Sequence, residues 1–283
     1  MTQTLIDARA LFERLSEPDL CIVDCSFSLQ DPEAGPAAYA KGHVPGAVYA
    51  HLNHDLSGPI VSGKTGRHPL PNAHDFGAYL ERSGIGNASR VVAYDDSGGS
   101  MAARLWWLLR WVGHDAVWVL DGGLPAWTAH GFPLSAESVT PIPQRFGIAL
   151  RGGMVASIEE VDALRLSSDH RLLDARAPER YRGEVEPIDR VAGHIPGARS
   201  LPFADNLREG RFLPASELRA RFETALAGVP PERAVVYCGS GVTAAHHVLA
   251  SEHAGLLGLR LYAGSYSEWI ADGTRPVAKG SSP

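Results

Sequence analysis

The residues best suited to covalent chemistry are one cysteine and the small residues that follow it. An apolar run, Val235-Val236-Tyr237, leads into Cys238, and the chain continues as Gly239-Ser240-Gly241-Val242-Thr243. A helical pattern follows at 242–254, so Cys238 is expected between a buried strand and a helix N-terminus. Backbone N–H groups and the helix dipole stabilise an anion at such a place. Because the thiolate is the reactive form of cysteine, the pattern predicts a nucleophile.

Composition argues against several classes of protein. The 283 residues carry a formal net charge of −6 without any basic run, which disfavours nucleic-acid binding. No apolar stretch reaches membrane-spanning length, and the N-terminus lacks the pattern of a signal peptide. The three cysteines are too few for a disulfide framework, and no Cys/His cluster has zinc spacing. We therefore expect a cytoplasmic protein that binds neither membrane, nucleic acid nor metal.

The chain contains two copies of one pattern. The turn Gly42-His43-Val44-Pro45-Gly46-Ala47 recurs as Gly193-His194-Ile195-Pro196-Gly197-Ala198. Other matched pairs keep the same order: Leu70-Pro71 with Leu213-Pro214, Val91–Asp95 with Ala234–Cys238, and Gly122 with Gly264. A repeat of this length predicts two tandem domains. We expect them at 1–138 and 155–283, joined by a proline-bearing linker at 139–154.

Each copy alternates short apolar strands with helical patterns. The predicted strands are 21–24, 47–49, 90–94 and 116–120 in the first copy, and 171–174, 198–201, 233–237 and 258–262 in the second. The predicted helices are 7–15, 73–83, 100–112, 157–166, 215–226 and 242–254. This alternation predicts an α/β fold, with a mostly parallel sheet flanked by helices on both faces in each domain.

The copies differ at the position of the cysteine. Cys238 aligns with Asp95, and the first-copy loop Asp95-Asp96-Ser97-Gly98-Gly99-Ser100 contains no thiol. Parallel sheets bind ligands at the carboxyl ends of their strands, which is where Cys238 is expected. The sequence therefore predicts that the second domain is catalytic and that the first is not.

The chain resembles the tandem rhodanese-domain sulfurtransferases over nearly its whole length. The resemblance rests on the two Gly-His-(Val/Ile)-Pro-Gly-Ala turns, on the pairs at 121–122 and 263–264, and on the loop from Cys238 to Thr243. It implies two rhodanese-like domains and transfer of sulfane sulfur through a persulfide on Cys238. It implies no cofactor, because the protein itself carries the sulfur. The implied partners are a small-molecule sulfur donor and a thiol or cyanide acceptor, with a thioredoxin-like reductant as a candidate.

Within this family, the loop is similar to that of the members that use 3-mercaptopyruvate. Thiosulfate-using members place basic side chains after the cysteine, where this chain has Gly239 and Ser240. A thiosulfate dianion favours fixed positive charge in the loop, so 3-mercaptopyruvate is the expected donor. A thiosulfate:cyanide sulfurtransferase of the same fold is the alternative.

The resemblance also implies arginines that hold the donor. Arg180, in Arg180-Tyr181-Arg182-Gly183, matches the substrate arginine of the family. Arg190 lies near the place of a second arginine but is displaced by one residue. Arginine pairs bidentately with a carboxylate such as that of mercaptopyruvate.

The loop residues and two residues of the first domain complete the expected site. By resemblance, Ser240 acts with a histidine and an aspartate, for which His43 and Asp31 are the candidates. A structural role for His43 stays open, because His194 occupies the same place in the second copy. The remaining loop residues are expected to bind the donor: Gly239, Gly241, Val242 and Thr243. A helix-capping role is expected for Thr243.

Two other functions share part of this pattern. A cysteine phosphatase requires an arginine six residues after the cysteine, and this chain has Ala244 there. A regulatory rhodanese-like binding module is the non-enzymatic alternative. Such modules often lose the cysteine, whereas this chain keeps Cys238 in a complete loop.

Overall fold

Two parallel sheets organise the molecule, which a computed structural model describes over residues 4–283. The first sheet contains β1 (Leu5–Ile6), β2 (Leu20–Asp24), β3 (Val48–Tyr49), β4 (Arg90–Tyr94) and β5 (Val117–Leu120). Its strands pair in parallel in the order β1-β5-β4-β2-β3. The central strand β4 therefore ends next to β2, at the edge where Asp95 begins its loop.

The second sheet repeats this arrangement with four strands. The strands of this half are β6 (Arg171–Asp174), β7 (Ala198–Ser200), β8 (Leu207–Arg208), β9 (Arg211–Phe212), β10 (Ala234–Tyr237) and β11 (Arg260–Leu261). The parallel order is β11-β10-β6-β7, while β8 and β9 form a separate antiparallel hairpin. Where the first sheet has β1, this sheet has only a single bridge between Val155 and Leu261.

Ten α-helices accompany these strands within residues 4–283. They are α1 (Ala8–Phe12), α2 (Ala34–Lys41), α3 (Ala73–Arg82), α4 (Ala102–Trp111), α5 (Gly123–Ala129), α6 (Ile158–Leu164), α7 (Pro178–Arg182), α8 (Ala215–Leu226), α9 (Thr243–His253) and α10 (Ser265–Trp269), with 3-10 turns at Gly152–Met154, Phe203–Asn206 and Pro231–Arg233. In residues 4–283, no helix combines the length and apolar character needed to cross a bilayer.

The predicted strands and long helices are confirmed to within a few residues. The largest difference is the predicted helix 7–15, which ends at Phe12. The short elements β1, α2, α5, α7 and α10 were not predicted. Each has eight residues or fewer, too few for a hydrophobic period to stand out.

Both faces of each sheet are covered. In β4, Val91 and Ala93 belong to the central core of the molecule, whereas Val92 and Tyr94 belong to an outer core. The central core also contains residues of the second sheet, and α4 packs against α9 within it. Every residue of Ala102–Leu109 and of Ala244–Ser251 is buried, as expected for helices sandwiched between two sheets. The carboxyl ends of both sheets therefore meet at one cleft.

The linker runs along the first repeat. The Gln144 N–H donates to Glu81 O, the Ala149 N–H to Val112 O, and the Arg151 N–H to Trp111 O. These bonds satisfy backbone groups of a segment that has little regular structure. The linker therefore packs against α3 and the end of α4.

Candidate active site

Cys238 follows β10 directly and is 2% exposed. The Gly241 N–H donates a hydrogen bond to Cys238 Sγ at 3.1 Å, and the Cys238 N–H donates to Ser265 Oγ at 3.1 Å. Gly241 has φ +82°, and a Cβ there would lie 2.2 Å from Ala263 O, so this turn requires glycine. The loop holds the sulfur against a backbone donor, which favours negative charge on it.

The equivalent loop of the first repeat holds an anion. The Asp95 carboxylate is buried at the end of β4 and accepts four backbone hydrogen bonds of 2.7–2.8 Å, from the N–H groups of Ser97, Gly99, Met101 and Ala102. These donors lie just ahead of, or at, the N-terminus of α4, where negative charge is favoured. The repeated loop is therefore built around an anion, and the second repeat has sulfur at the matching position.

Cys238 lines a cavity of about 290 Å³ between the two repeats. The first repeat contributes Leu29, Arg67, Ser100 and Met101, and the second contributes Arg176, Ala177, Arg180, Ile188, Phe203 and the loop residues 238–240, 242 and 243. A neighbouring cavity of about 660 Å³ shares three of these residues, Leu29, Arg67 and Ile188. The cavity is of the size that a small-molecule site needs.

The histidine next to Ser240 is His68. Its Nδ1 lies 2.7 Å from Ser240 Oγ, and both residues are buried. Burial, together with the positive charges of Arg104 and Arg67, lowers the pKa of His68 to about 3. The imidazole is therefore neutral at pH 7, with one N–H and one acceptor nitrogen. The tautomer of the ring decides whether the serine hydroxyl donates to Nδ1 or accepts from it.

The structure does not bring His43 to Ser240, contrary to expectation. His43 Nδ1 is bonded to Tyr39 O at 2.8 Å, and its ring stacks on Tyr39 with centroids 4.0 Å apart. His194 makes the same two contacts with Tyr181, at 2.8 Å and 3.8 Å. Because both copies share this arrangement, the histidine secures the Gly-His-Pro turn to the preceding helix.

Two other expectations also differ from the structure. Asp31 is exposed, and its Oδ1 accepts a hydrogen bond from the Glu33 N–H at 3.2 Å, so it shapes a surface turn and does not face Cys238. Thr243 is the first residue of α9, and Val242 occupies the N-cap position without a side-chain hydrogen bond. Thr243 therefore lines the cavity and does not cap the helix.

Arg180 reaches the cavity, but Arg190 does not line it. The Arg180 guanidinium donates to Glu186 at 2.7 and 3.1 Å, which orients it beside the loop. Arg190 donates instead to the main-chain carbonyls of Ile270 and Ala271, at the end of α10. The displacement of Arg190 by one residue in the sequence thus corresponds to a different structural role.

Arg67 is the second cation beside the loop, and it comes from the first repeat. Its guanidinium forms an ion pair with Asp189 and lines both cavities. The sequence contained a signal for Arg67 and His68. They precede the matched Leu70-Pro71 turn with only Pro69 between, at positions where the second copy has Gly210 and Arg211.

A fully buried arginine joins the two halves of the site. Arg104 of α4 donates to the carbonyl oxygens of Leu56, His68, Pro69 and Gly241 at 3.2–3.3 Å. Burial lowers the pKa of Arg104 to about 10, and the nearby Cys238 side chain partly offsets this. Among residues 4–283, no carboxylate forms a salt bridge with it. Arg104 thus ties the His68 segment to the Cys238 loop.

Comparison with family models matches the rhodanese-like domain twice, at residues 7–130 and 157–272. The chain is 49% identical over 278 residues to a protein of Pseudomonas aeruginosa named "Probable 3-mercaptopyruvate sulfurtransferase", covering 98% of both chains. It is 34% identical over 261 residues to a thiosulfate sulfurtransferase of Rattus norvegicus, covering 89% of this chain and 86% of the relative.

A solved structure has the same architecture. The crystal structure of SseA from Escherichia coli, described as a 3-mercaptopyruvate sulfotransferase with the rhodanese fold, superposes with a TM-score of 0.82. The two chains are 31% identical, and the match covers 94% of this chain and 100% of the other. Sequence and fold thus point to the same group of proteins.

Proposed function

Because this chain belongs to the family of proteins with rhodanese-like domains, we propose that it is a sulfurtransferase acting on 3-mercaptopyruvate. Cys238 of the second domain, 155–283, carries the sulfur as a persulfide. The first domain, 1–138, has Asp95 at that position and contributes scaffold and cleft residues. Cys21, Cys25 and Cys238 are free thiols in the structure, which suits a reducing compartment such as the cytoplasm.

The first half-reaction loads the cysteine. The Cys238 thiolate attacks the sulfur of 3-mercaptopyruvate, so that an S–S bond forms as the C–S bond breaks. The C–S electron pair becomes the enolate of pyruvate, and one proton converts this enolate to pyruvate. The outer sulfur stays on Cys238, next to the Gly241 N–H that already contacts Sγ.

The second half-reaction removes the outer sulfur from Cys238. An acceptor thiolate or cyanide attacks the outer sulfur, the S–S bond breaks, and the electron pair returns to Cys238. The acceptor leaves as a persulfide or as thiocyanate. The combined cavities of about 290 and 660 Å³ provide room for a small acceptor. A thioredoxin-like reductant is an acceptor of the same chemistry.

The observation that carries this proposal is the convergence of two guanidinium groups beside the cysteine loop. A Cβ on Gly239 would lie 2.9 Å from Arg67 Nη2 and 3.6 Å from Arg180 Nη1 and Nη2. A donor whose sulfur meets Cys238 would therefore have its carboxylate near two cations. Ser240, bonded to neutral His68, is the group placed to exchange a proton with the enolate oxygen.

Thiosulfate is the second candidate donor. The loop itself has no basic side chain, but Arg67 and Arg180 supply positive charge from outside it, so a dianion also meets favourable charge. The thiosulfate sulfurtransferase of Rattus norvegicus is among the relatives. The choice between donors therefore depends on how well the two arginines fit a planar carboxylate or a tetrahedral dianion.

A direct comparison of donors tests the proposal. We expect pyruvate formation with 3-mercaptopyruvate at a kcat/KM above that for thiocyanate formation from thiosulfate and cyanide. A higher value for thiosulfate would reverse the donor assignment. Mass spectrometry should show one added sulfur atom on Cys238 after donor treatment and none in Cys238→Ser. A protein that never acquires this sulfur from either donor would instead be a binding module.

A further inference from the structure

We propose that Arg67 and Arg180 together form the cradle for the donor carboxylate, and that the Asp189 carboxylate occupies this cradle until the donor displaces it. The inference rests on the proposed function. It assigns donor binding to a residue of the first domain and gives Asp189 the role of an internal competitor.

The position of Arg67 is fixed from the second domain. The Arg67 N–H donates to Ser267 Oγ at 3.1 Å. At Gly66, a Cβ would lie 2.4 Å from Gly264 O, so these two segments of the chain approach too closely for any other residue at position 66. The Arg67 backbone is therefore docked beside α10, and its guanidinium extends over Gly239. An arginine held in this way loses little further freedom when it binds an anion.

Asp189 shows that a carboxylate fits between the two guanidinium groups. Its Oδ1 is paired with Arg67 Nη1, and its Oδ2 lies 3.0 Å from Arg180 Nη2. The Asp189 side chain is only 3% exposed, so the carboxylate is buried between the two guanidinium groups. A carboxylate shared by two arginines is the arrangement expected for a bound 2-oxo acid at this position.

The orientation of the Arg67 guanidinium depends on Asp189 more than that of the Arg180 guanidinium does. Glu186 holds Arg180 at 2.7 and 3.1 Å, so Arg180 stays oriented without Asp189. For Arg67, Asp189 is the one carboxylate partner within residues 4–283. Burial raises the pKa of Asp189, although Arg67 and Arg180 act in the opposite direction, so the buried carboxylate is incompletely compensated. A donor carboxylate bound to the two guanidinium groups would take the place of Asp189 there.

Arg190 explains how Asp189 can turn away while its segment stays in place. The Arg190 guanidinium is anchored to the carbonyls of Ile270 and Ala271. The residue after Asp189 is thus held by the segment that follows α10, which keeps the main chain in place if the Asp189 side chain turns away.

Calorimetric binding of 3-mercaptopyruvate to the full chain carrying Cys238→Ser tests the cradle without turnover. Adding Arg67→Met should raise Kd by about tenfold to a hundredfold, the effect of losing one charge-assisted hydrogen-bonding partner. Arg67→Lys, which keeps the charge, should recover part of this loss. The matched control is Lys64→Met, which removes the same charge from an exposed position nearby and should leave Kd within about twofold. Asp189→Asn should lower Kd severalfold.

A donor without a carboxylate makes the test specific. With Cys238 intact, 1-mercaptopropan-2-one keeps the thiol and ketone but lacks the carboxylate, so Arg67→Met should lower its kcat/KM much less than that of 3-mercaptopyruvate. An unchanged Kd in Arg67→Met, or equal losses for both donors, would overturn the role of Arg67. Weaker binding in Asp189→Asn would overturn the competitor role. Persulfide formation on Cys238 is scored separately, so failure of the sulfurtransferase function is distinguishable from failure of the cradle.

Discussion

His68 Nδ1 lies 2.7 Å from Ser240 Oγ although the two residues are 172 positions apart in the sequence. The first domain therefore supplies a titratable group to the loop that carries Cys238. Both repeats therefore contribute to the cleft: the second supplies Cys238, and the first supplies the side chain bonded to Ser240.

His68→Ala should lower kcat with 3-mercaptopyruvate by about a hundredfold, in the range of a lost proton-transfer group. Ser240→Ala should have a similar effect, and the double variant should add little, because the two side chains act as one unit. The kcat of all three variants is measured from steady-state pyruvate formation.

His43→Ala is the matched control for this prediction. Since His43 secures a turn through Tyr39, its removal should lower the free energy of unfolding while kcat stays within about twofold of the parent. A large loss of kcat in His43→Ala, with His68→Ala unaffected, would contradict the assignment.

Asp95→Ala should lower the free energy of unfolding by at least about 3 kcal/mol, because four buried N–H groups lose a charged acceptor. Urea denaturation measures the change. Asp96→Ala, at the exposed neighbouring position, should stay within about 0.5 kcal/mol. Equal effects of the two substitutions would show that the first-repeat loop is not held by its carboxylate.

Arg104→Met should reduce both stability and kcat, because four buried carbonyl groups lose their donor and two segments of the site lose their connection. We expect about 3 kcal/mol of destabilisation and at least a tenfold loss of kcat. Arg104→Lys restores the charge without the planar fork, so it should recover only part of each. Full recovery of stability and kcat in Arg104→Lys would show that the positive charge suffices and that the planar guanidinium is not required.

The free energy of unfolding should fall as the pH is lowered from 7.5 to 5.5. Burial lowers the pKa of His68 to about 3 and that of His246 to about 4, and it also lowers the pKa of His247. In this pH range the histidines of the unfolded chain bind protons that the native state excludes. Their contribution to the free energy of unfolding is therefore present above pH 6.5 and decreases as the pH falls below it. The expected loss is about 1 kcal/mol for each of the three histidines at pH 5.5.

Chemical denaturation at several pH values measures this dependence. His246→Gln removes one titrating group and should reduce the fall in the free energy of unfolding between pH 7.5 and 5.5 by about 1 kcal/mol, whatever its effect on the absolute stability. A free energy that does not change between pH 7.5 and 5.5 would contradict neutral burial of these side chains.

The sequence by itself determined the features that depend on neighbouring residues. The strand-loop-helix unit around Cys238 and the duplication follow from local hydrophobic patterns and repeated turns, and so does the replacement of Cys238 by Asp95 in the first copy. Arg180 also needed only a local match, because it precedes the second Gly-His turn by a short, ordered segment.

Only the tertiary structure decided which distant side chains meet Cys238. The sequence favoured His43 and Arg190, each adjacent to a recognisable motif, but His68 and Arg67 reach the loop. Their placement depends on how α4 and α9 pack between the two sheets and on the docking of the Arg67 segment beside α10. Such contacts are set by the packing of whole elements, which no local pattern encodes.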